Sequence, residues 1–402
     1  IDSTGIPASL SSPVIQELLR RDLNFSGLCF TDAMNMKGVT QNSQPGEAEV
    51  KALLAGNDML LFPANLGKAV EAIKKALADS LLDERTIDEK CRKILEAKQK
   101  YVLPNVYPAE TPGLWSRLNS PTDIALKQQL YQAAITLIKN TDSLLPLKRL
   151  DTLRIASLNF GARAVNNFQT TLERYTQVTH FVANKKLSDE ELRNLQKKLQ
   201  PFNCIIIYNL STNSAQKDFG YSTVLDTLIR QQTGKRIILC HPGIPYGLAS
   251  YASLPTDALL LSYENHLYAQ QYAAQAIFGG IAMTARLPVC VNPDYPAGTG
   301  IQTPKTRLSY TSPEMCRLDS EKLAKIDSIC QLAVQAHATP GCQVLIAKDG
   351  NIFYNKAFGH HTYKQTTPNK TSDIYDLASV TKITATLPAI IKLYDSRKIN
   401  LA

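Results

Sequence analysis

The 402-residue sequence has no window of about 18 uninterrupted apolar residues, the length a membrane-crossing helix needs. No membrane span is therefore expected. None of its eight cysteines forms a C-x-x-C pair, and no histidine is spaced from them as a zinc site requires. No metal and no cofactor are expected. There is no internal repeat, no low-complexity tract and only one tryptophan, Trp115, which sits in a linker and reads as a packing anchor. A dense basic stripe with interleaved aromatics, as a nucleic-acid site would want, is also missing. Lys185-Lys186 and Lys197-Lys198 are its weak counterpart and read as a solvated helix face, so no nucleic-acid partner is expected. No signal peptide opens the chain. It begins at Ile1, not at Met, inside what reads as an ordered loop, and is expected to be a piece of something longer.

What is present is an ordinary globular profile, 44% hydrophobic and 20% charged. That excludes a disordered chain, a collagen and a coiled coil. The length is more than twice a usual domain of roughly 100–200 residues, so two or three domains are expected. The net charge of +9 is uneven. Residues 1–100 carry 13 basic and 14 acidic side chains, residues 101–318 carry 21 and 14, and residues 319–402 carry 10 and 7. The excess is scattered through the middle. Cys29, Cys204 and Cys240 lie in apolar strand-like runs, where a thiol behaves as a small hydrophobe. The cysteines read as buried free thiols, and nothing about them demands an oxidising compartment.

Three zones separate by pattern. In the first, Gly27–Thr31 and Asp58–Phe62 read as strands, with helices near 45–55, 66–79 and 86–100. Strand alternating with helix is the grammar of a parallel sheet or barrel. A linker follows over 102–122, with Pro104, Pro108, Pro112, Gly113 and Pro121. The second zone predicts a helix over 123–138, then strands at Arg154–Leu158, Cys204–Tyr208, Arg236–Cys240 and Ala258–Ser262. Helices lie between them, for example over 188–199 and 222–233. The continuously apolar strands point to a buried, doubly wound parallel sheet. Residues 292–318, rich in Pro, Gly, Ser and Thr, read as a second linker. The third zone predicts a helix over 319–337, a hairpin turning at Asp349-Gly350, and a helix starting near Ser379. So few elements bury a thin core.

Asp32 closes the run Gly27-Leu-Cys-Phe-Thr-Asp32, just past the first strand. In barrel enzymes working residues project from the C-terminal ends of the strands. The alternative is that Asp32 caps the next helix. Three spaced segments bear on the choice: Ile6-Pro-Ala-Ser-Leu-Ser11, Phe25-Ser-Gly-Leu-Cys-Phe-Thr-Asp32-Ala-Met-Asn-Met36-Lys-Gly38, and Ala55-Gly-Asn-Asp58-Met-Leu-Leu61. Together they resemble glycoside hydrolase family 3, most closely its bacterial β-N-acetylhexosaminidase branch. The resemblance implies that Asp32 is the nucleophile of a retaining glycoside hydrolase and that Met36 lies against the sugar; Met36 as a core filler is the alternative. It also implies that the earlier strands, a Lys-His binding element and the acid/base loop precede Ile1. No histidine lies in this zone, so no acid/base is named.

Ala133-Ala-Ile-Thr-Leu-Ile-Lys-Asn140 with Leu144-Leu-Pro-Leu147, and Phe278-Gly-Gly280 with Leu287-Pro-Val289, resemble the entry and exit of that family's α/β sandwich domain. His241 and Glu264 stand at strand ends and are candidates to reach a sugar, with structural polar groups as the simpler reading. Ser379-Val-Thr-Lys382 places a hydroxyl and an ammonium one helical turn apart. A lysine there can take the serine proton and activate it for acyl transfer. By itself the S-x-x-K spacing is weak, and Ser214-Ala-Gln-Lys217 is a chance match. The helix, hairpin and Ser-Asp-Ile-Tyr-Asp-Leu-Ala segment around Ser379 resemble the start of serine β-lactamases and DD-peptidases.

The expected fold is α/β throughout most of the chain. It comprises the last strands of a (β/α)8 barrel over 1–104, an α/β sandwich with a mostly parallel sheet over 123–291, and the N-terminal piece of an α+β β-lactamase-like domain over 319–402. The expected activity is retaining hydrolysis of β-linked amino sugars of cell-wall type, with β-glucosidase or xylosidase chemistry and serine acyl hydrolysis as alternatives. The chain by itself is expected to be inactive. A carbohydrate substrate is implied, and for the serine part a peptidoglycan-derived peptide or an ester. The resemblance implies a place in the bacterial periplasm or cell envelope, with the signal expected upstream of Ile1.

Overall fold

The computed structural model describes residues 4–40, 43–105, 110–216 and 218–400. Ile1, Pro108, Lys217 and Ala402 lie outside the described residues, and with Lys217 the second S-x-x-K match. The chain divides into two compact units, Ile1–Leu114 and Trp115–Ala402.

In the first unit a helix wound with π-type hydrogen bonds, Pro13–Asp22, precedes β1 (Phe30–Ala33), α1 (Lys37–Thr40), α2 (Glu47–Ala55), β2 (Met59–Leu61), α3 (Leu66–Ala78) and α4 (Glu84–Ala97). β1 and β2 pair in parallel, as the strand–helix–strand pattern requires. Gly56, at φ +107°, ends α2, and a Cβ there would strike Gln16 and Ile15. α3 and α4 start where Asn65 and Asp83 cap them, each side chain accepting a backbone N–H. The small cores beneath are Met34, Val39, Ala48 and Ala52 on one side, and Leu53, Ala76 and Leu82 on another.

The second unit opens with α5 (Leu114–Leu118) and α6 (Pro121–Ala134), the latter capped by Ser120 with Pro121 at its first turn. A sheet follows, built from β3 (Thr136–Asn140), β4 (Ile155–Phe160), β5 (Val178–Ala183), β6 (Cys204–Asn209), β7 (Arg236–His241) and β8 (Ala258–Leu261). Its helices are α7 (Asn167–Leu172), α8 (Asp189–Leu199), α9 (Thr223–Arg230) and α10 (Leu267–Ile277). The strand order is β3-β8-β7-β6-β4-β5, parallel throughout except for β3, which runs antiparallel to β8. Side chains alternate across the sheet. Cys204, Ile206 and Tyr208 enter the core shared with Phe168 of α7 and Tyr272 of α10. Ile205 and Ile207 enter the opposite core, with Leu195 of α8 and Leu228 of α9. Both faces are covered, which is why these strands are apolar without alternation.

The last elements are β9 (Ser309–Tyr310), α11 (Ser320–Gln335), β10 (Gly341–Lys348), β11 (Asn351–Gly359) and α12 (Leu387–Asp395). They form a second sheet in the order β10-β11-β9. Asp349 and Gly350 both take positive φ, 51° and 74°, as a two-residue hairpin turn demands. The segment 292–318 is clasped to the large sheet's layer by Arg307. Its guanidinium donates to the carbonyls of Leu147 at 2.7 Å, Phe278 at 2.5 Å and Lys148 at 3.1 Å.

Four expectations are corrected. The helix expected over 123–138 ends at Ala134, and Thr136–Asn140 is strand β3. β5 was not expected at all. Trp115 is no packing anchor; the residue is 78% exposed. The thiols of Cys91 and Cys290 are exposed, not buried.

Candidate active site

The run that ends in Asp32 is held to β2 by two hydrogen bonds. Thr31 points inward and its hydroxyl accepts the Leu61 N–H at 2.9 Å. The Met34 N–H donates to the Leu61 carbonyl at 2.8 Å, and Met34 is fully buried. Strand alternation then turns Asp32 to the exposed face. Asp32 is the third residue of β1, so it lies inside the strand and not just beyond it. Its Oδ1 accepts the N–H of Ala33 at 2.7 Å, and the rest of the carboxylate faces outward. It caps no helix, because α1 begins only at Lys37. Met36 is half exposed, so the core position belongs to Met34.

Two residues the sequence reading did not single out as functional, Asp58 and Asn57, tie the chain around this strand to its neighbours. Asp58 is buried, and its Oδ2 accepts from the Cys29 N–H at 2.8 Å, Arg20 Nη2 at 2.7 Å and Lys93 Nζ at 3.0 Å. Burial pushes its acidity one way; the Cys29 N–H and the two cations outweigh it and hold the carboxyl below its usual range. Asn57 donates to the Ser9 carbonyl at 2.7 Å and the Ala52 carbonyl at 2.8 Å. Lys90 donates to the Asn57 carbonyl at 2.7 Å, and burial lowers its pKa. The readable signal was there: an Asn-Asp pair stands at the head of an apolar strand, where polar groups must have partners.

In the second unit, a cavity of about 260 Å³ opens at the C-terminal ends of β6, β7 and β8. Thr212, Phe219, His241, Tyr263, Glu264 and Asn265 help line it. His241 Nε2 faces the Ile244 carbonyl at 3.1 Å, and its ring stands edge-on to Tyr251 at 5.2 Å. Gly243 and Gly247 wall it in, since a Cβ on either would come within 2.8 Å of Nε2. Burial drives its pKa down to about 4, so at neutral pH it is an uncharged packed ring, with Nδ1 left without a partner. Glu264 is exposed; it follows Tyr263, whose φ of +66° turns the chain off β8. It accepts the Tyr131 hydroxyl, and that ring stacks on His266 at 4.4 Å.

Ser379 and Lys382 meet as their spacing predicts, with Lys382 Nζ 3.2 Å from Ser379 Oγ. Both are exposed. Asp32 and Met36 belong to the first unit, and Ser379 and Lys382 to the second.

Residues 1–97 match the model of the glycosyl hydrolase family 3 N terminal domain. Beta-hexosaminidase A of Pseudoalteromonas piscicida is 25% identical over 326 residues, covering 71% of this chain and 53% of its own. A beta-N-acetylglucosaminidase/beta-glucosidase of Cellulomonas fimi is 26% identical over 148 residues, covering 37% of this chain and 26% of its own. The solved family 3 beta-N-acetylglucosaminidase of Paenibacillus sp. str. FPU-7 superposes with a TM-score of 0.56 at 21% identity, covering 69% of this chain and 53% of that one. The chain thus spans about half the length of the hexosaminidase and of the solved structure, and about a quarter of the Cellulomonas protein. Residues 1–97 thus match the family 3 N terminal domain model, and the chain's α/β fold, with mixed, mostly parallel sheets, is similar to that of the solved family 3 structure.

Proposed function

We propose that the protein is a retaining β-glycoside hydrolase with Asp32 as its nucleophile, acting on β-linked amino sugars. The observation that carries the reading is Asp32 itself. It is an exposed carboxylate fixed on a strand by Thr31, Met34 and the buried Asp58 cluster, inside the segment matched to family 3. In the first step Asp32 attacks the anomeric carbon, the glycosidic C–O bond breaks, and an acid protonates the departing oxygen. In the second step water, deprotonated by the same group, attacks that carbon and frees Asp32. Rigid placement matters because a nucleophile misplaced by an ångström loses much of its advantage. Met36, half exposed four residues on, is proposed as an apolar contact for the sugar. A 2-acetamido sugar is favoured by the hexosaminidase and N-acetylglucosaminidase relatives; the beta-glucosidase name of the Cellulomonas relative keeps β-glucosides as the rival. Aryl β-glycosides that differ only in the 2-acetamido group separate the two. Faster turnover of the plain glucoside would overturn the amino-sugar assignment.

A second reading rests on a separate observation, the 3.2 Å approach of Lys382 Nζ to Ser379 Oγ. We propose that residues 319–402 contribute the start of a serine acyl hydrolase site acting on a peptide or ester, and that the protein works in the cell envelope, where both substrates occur. A neutral Lys382 would accept the Ser379 proton as the hydroxyl attacks a carbonyl. Treating the protein expressed from its complete gene with a fluorophosphonate probe should label Ser379, and Ser379→Ala should abolish the labelled peptide. Labelling that survives the substitution would remove Ser379 from the account.

A further inference from the structure

A cavity of about 440 Å³ lies in the second unit, between residues 140–148, which leave β3, and residues 301–307. Both walls are fixed by hydrogen bonds. The Asn140 side chain ties its own loop, donating from Nδ2 to the Leu145 carbonyl at 3.0 Å and accepting the Leu145 N–H at 2.9 Å. Opposite, the Ile301 N–H donates to the Leu137 carbonyl at 2.8 Å, and Thr303 exchanges backbone hydrogen bonds with Met283 at 3.0 and 3.2 Å. Gly279, at φ +75°, lets the far end close, since a Cβ there would stand 2.2 Å from Thr306 Oγ1.

The polar lining is one-sided in charge and in hydrogen bonding. Lys148 and Arg307 line the cavity, with no aspartate or glutamate among the described lining residues. Arg307 donates three of its five N–H groups to backbone carbonyls, two from Nη1 and one from Nη2. That pins the guanidinium and leaves Nε–H and one Nη2–H uncommitted. Lys148 gives the clasp only its carbonyl, and no hydrogen bond or ion pair engages its ammonium among the described residues. Ser143 and Thr306 add hydroxyls to the lining. Thr303 also lines it; the residue is 5% exposed, and its Oγ1 is buried without a partner. A buried polar atom left unpaired is costly, so it marks a place where an outside partner fits.

We propose that this cavity binds a phosphate group, free or as the monoester of a small molecule. Every uncommitted group named above can donate a hydrogen bond. Phosphate at neutral pH carries a charge of about −1.5 to −2 and three terminal oxygens that accept such bonds. A pinned guanidinium with two free donors suits it, and Lys148 supplies a point charge. The basic excess of residues 101–318, 21 side chains against 14, attracts an anion to this unit. The volume falls in the range of roughly 300–1,000 Å³ that small organic ligands occupy, and Leu145 and Ile301 give it an apolar side. The organic part of a monoester therefore has room. Binding here needs no hydrolysis, so the test stands apart from the role of Asp32.

The test titrates the 402-residue chain with inorganic phosphate and, separately, with glucose 6-phosphate, followed by isothermal calorimetry at low salt. One saturable site per chain is expected, with a dissociation constant of about 1 mM or below. Lys148→Gln should weaken binding about tenfold, the worth of one hydrogen bond to a charged, exposed group. Thr303→Val removes the unpartnered hydroxyl and keeps the side chain's shape. It should weaken binding severalfold without lowering the thermal midpoint. Lys197→Gln, on the exposed face of α8, should leave the affinity unchanged. Tighter binding of glucose 6-phosphate would support a monoester as the occupant, and equal affinity the free ion; either upholds the site. No saturable binding up to about 20 mM would overturn the proposal. So would an affinity unchanged in both Lys148→Gln and Thr303→Val. A loss in Lys197→Gln as large as in Lys148→Gln would overturn it too, because net charge alone would then be drawing phosphate. Lys148 is exposed, so its variant should keep the fold, as circular dichroism would verify.

Discussion

Replacing Asp58 by Asn removes the charge at the centre of the first unit while keeping the side chain's size. In the structure Oδ2 gathers the Cys29 N–H at 2.8 Å, Arg20 at 2.7 Å and Lys93 at 3.0 Å. An amide oxygen can still accept the Cys29 bond. What is lost is the charge opposite two cations, in a pair where Asp58 is only 6% exposed but Arg20 and Lys93 are 19% and 31% exposed. A hydrogen bond to a charged group contributes about 1.5–3 kcal/mol. Two such bonds would sum to about 3–6 kcal/mol, but both cations can turn partly to water, so the loss belongs at or below that lower end, about 2–3 kcal/mol. Hydrogen exchange should read this as local opening of β1 and β2 that is faster by on the order of 30- to 150-fold, at 1.4 kcal/mol per decade. Asp151→Asn breaks the Arg149 pair, whose side chains are 73% and 65% exposed, and should leave β1 exchange untouched. The pH dependence has a definite sign. A carboxyl held below its unfolded value of about 3.9 stabilises the fold above that pH, and its contribution is lost as pH falls through the folded value. Wild-type β1 should therefore loosen below about pH 4, with that step missing in Asp58→Asn. Exchange in the variant within about threefold of wild type at neutral pH would refute the claim that Asp58 braces the strand carrying Asp32.

Two further outcomes are expected in the second unit. His241 is buried uncharged with a pKa of about 4, against about 6.5 unfolded. Between those values the unfolded chain takes up a proton that the native ring refuses, so stability should fall by about 3 kcal/mol from pH 6.5 to 4. Denaturant titrations at several pH values should show a shallower decline in His241→Gln; equal slopes would contradict the assignment. Arg307→Ala removes three bonds to carbonyls of the large-sheet layer. It should cost about 3 kcal/mol and lower the thermal midpoint by roughly 6–10 °C. A change under about 2 °C in calorimetry would show that the clasp is idle.

The sequence revealed the fold best where packing is two-sided. β6, β7 and β8 read as unbroken apolar runs because helices cover both faces of the sheet. It failed at the margins of that sheet. β5 is an edge strand with a mixed pattern, Val178-Thr-His-Phe-Val-Ala183, paired only with β4. β3 follows α6 without a Gly or Pro between them, so helical periodicity ran on through Ile135 and Thr136. Only the β-branched residues there hinted at a strand. Trp115 looked like an anchor because a lone tryptophan usually is one, yet α5 is short and buries none of its residues. At the candidate site, the Ser379–Lys382 approach follows from helical spacing alone. Asp32 did not follow from local pattern; its significance came from three separated segments read together. The Asp58 cluster could not be read from spacing, because its cations arrive from helices 38 residues before it and 35 residues after it.

The central claim is that Asp32 is the nucleophile. The most direct measurement is hydrolysis of an aryl β-N-acetylglucosaminide by the protein expressed from its complete gene, comparing wild type with Asp32→Asn. An amide cannot form the glycosyl ester, so turnover should fall by at least about a thousandfold, while the fold, monitored by circular dichroism, stays intact. Turnover within about tenfold of wild type would contradict the account, because the covalent step would then have to use another residue.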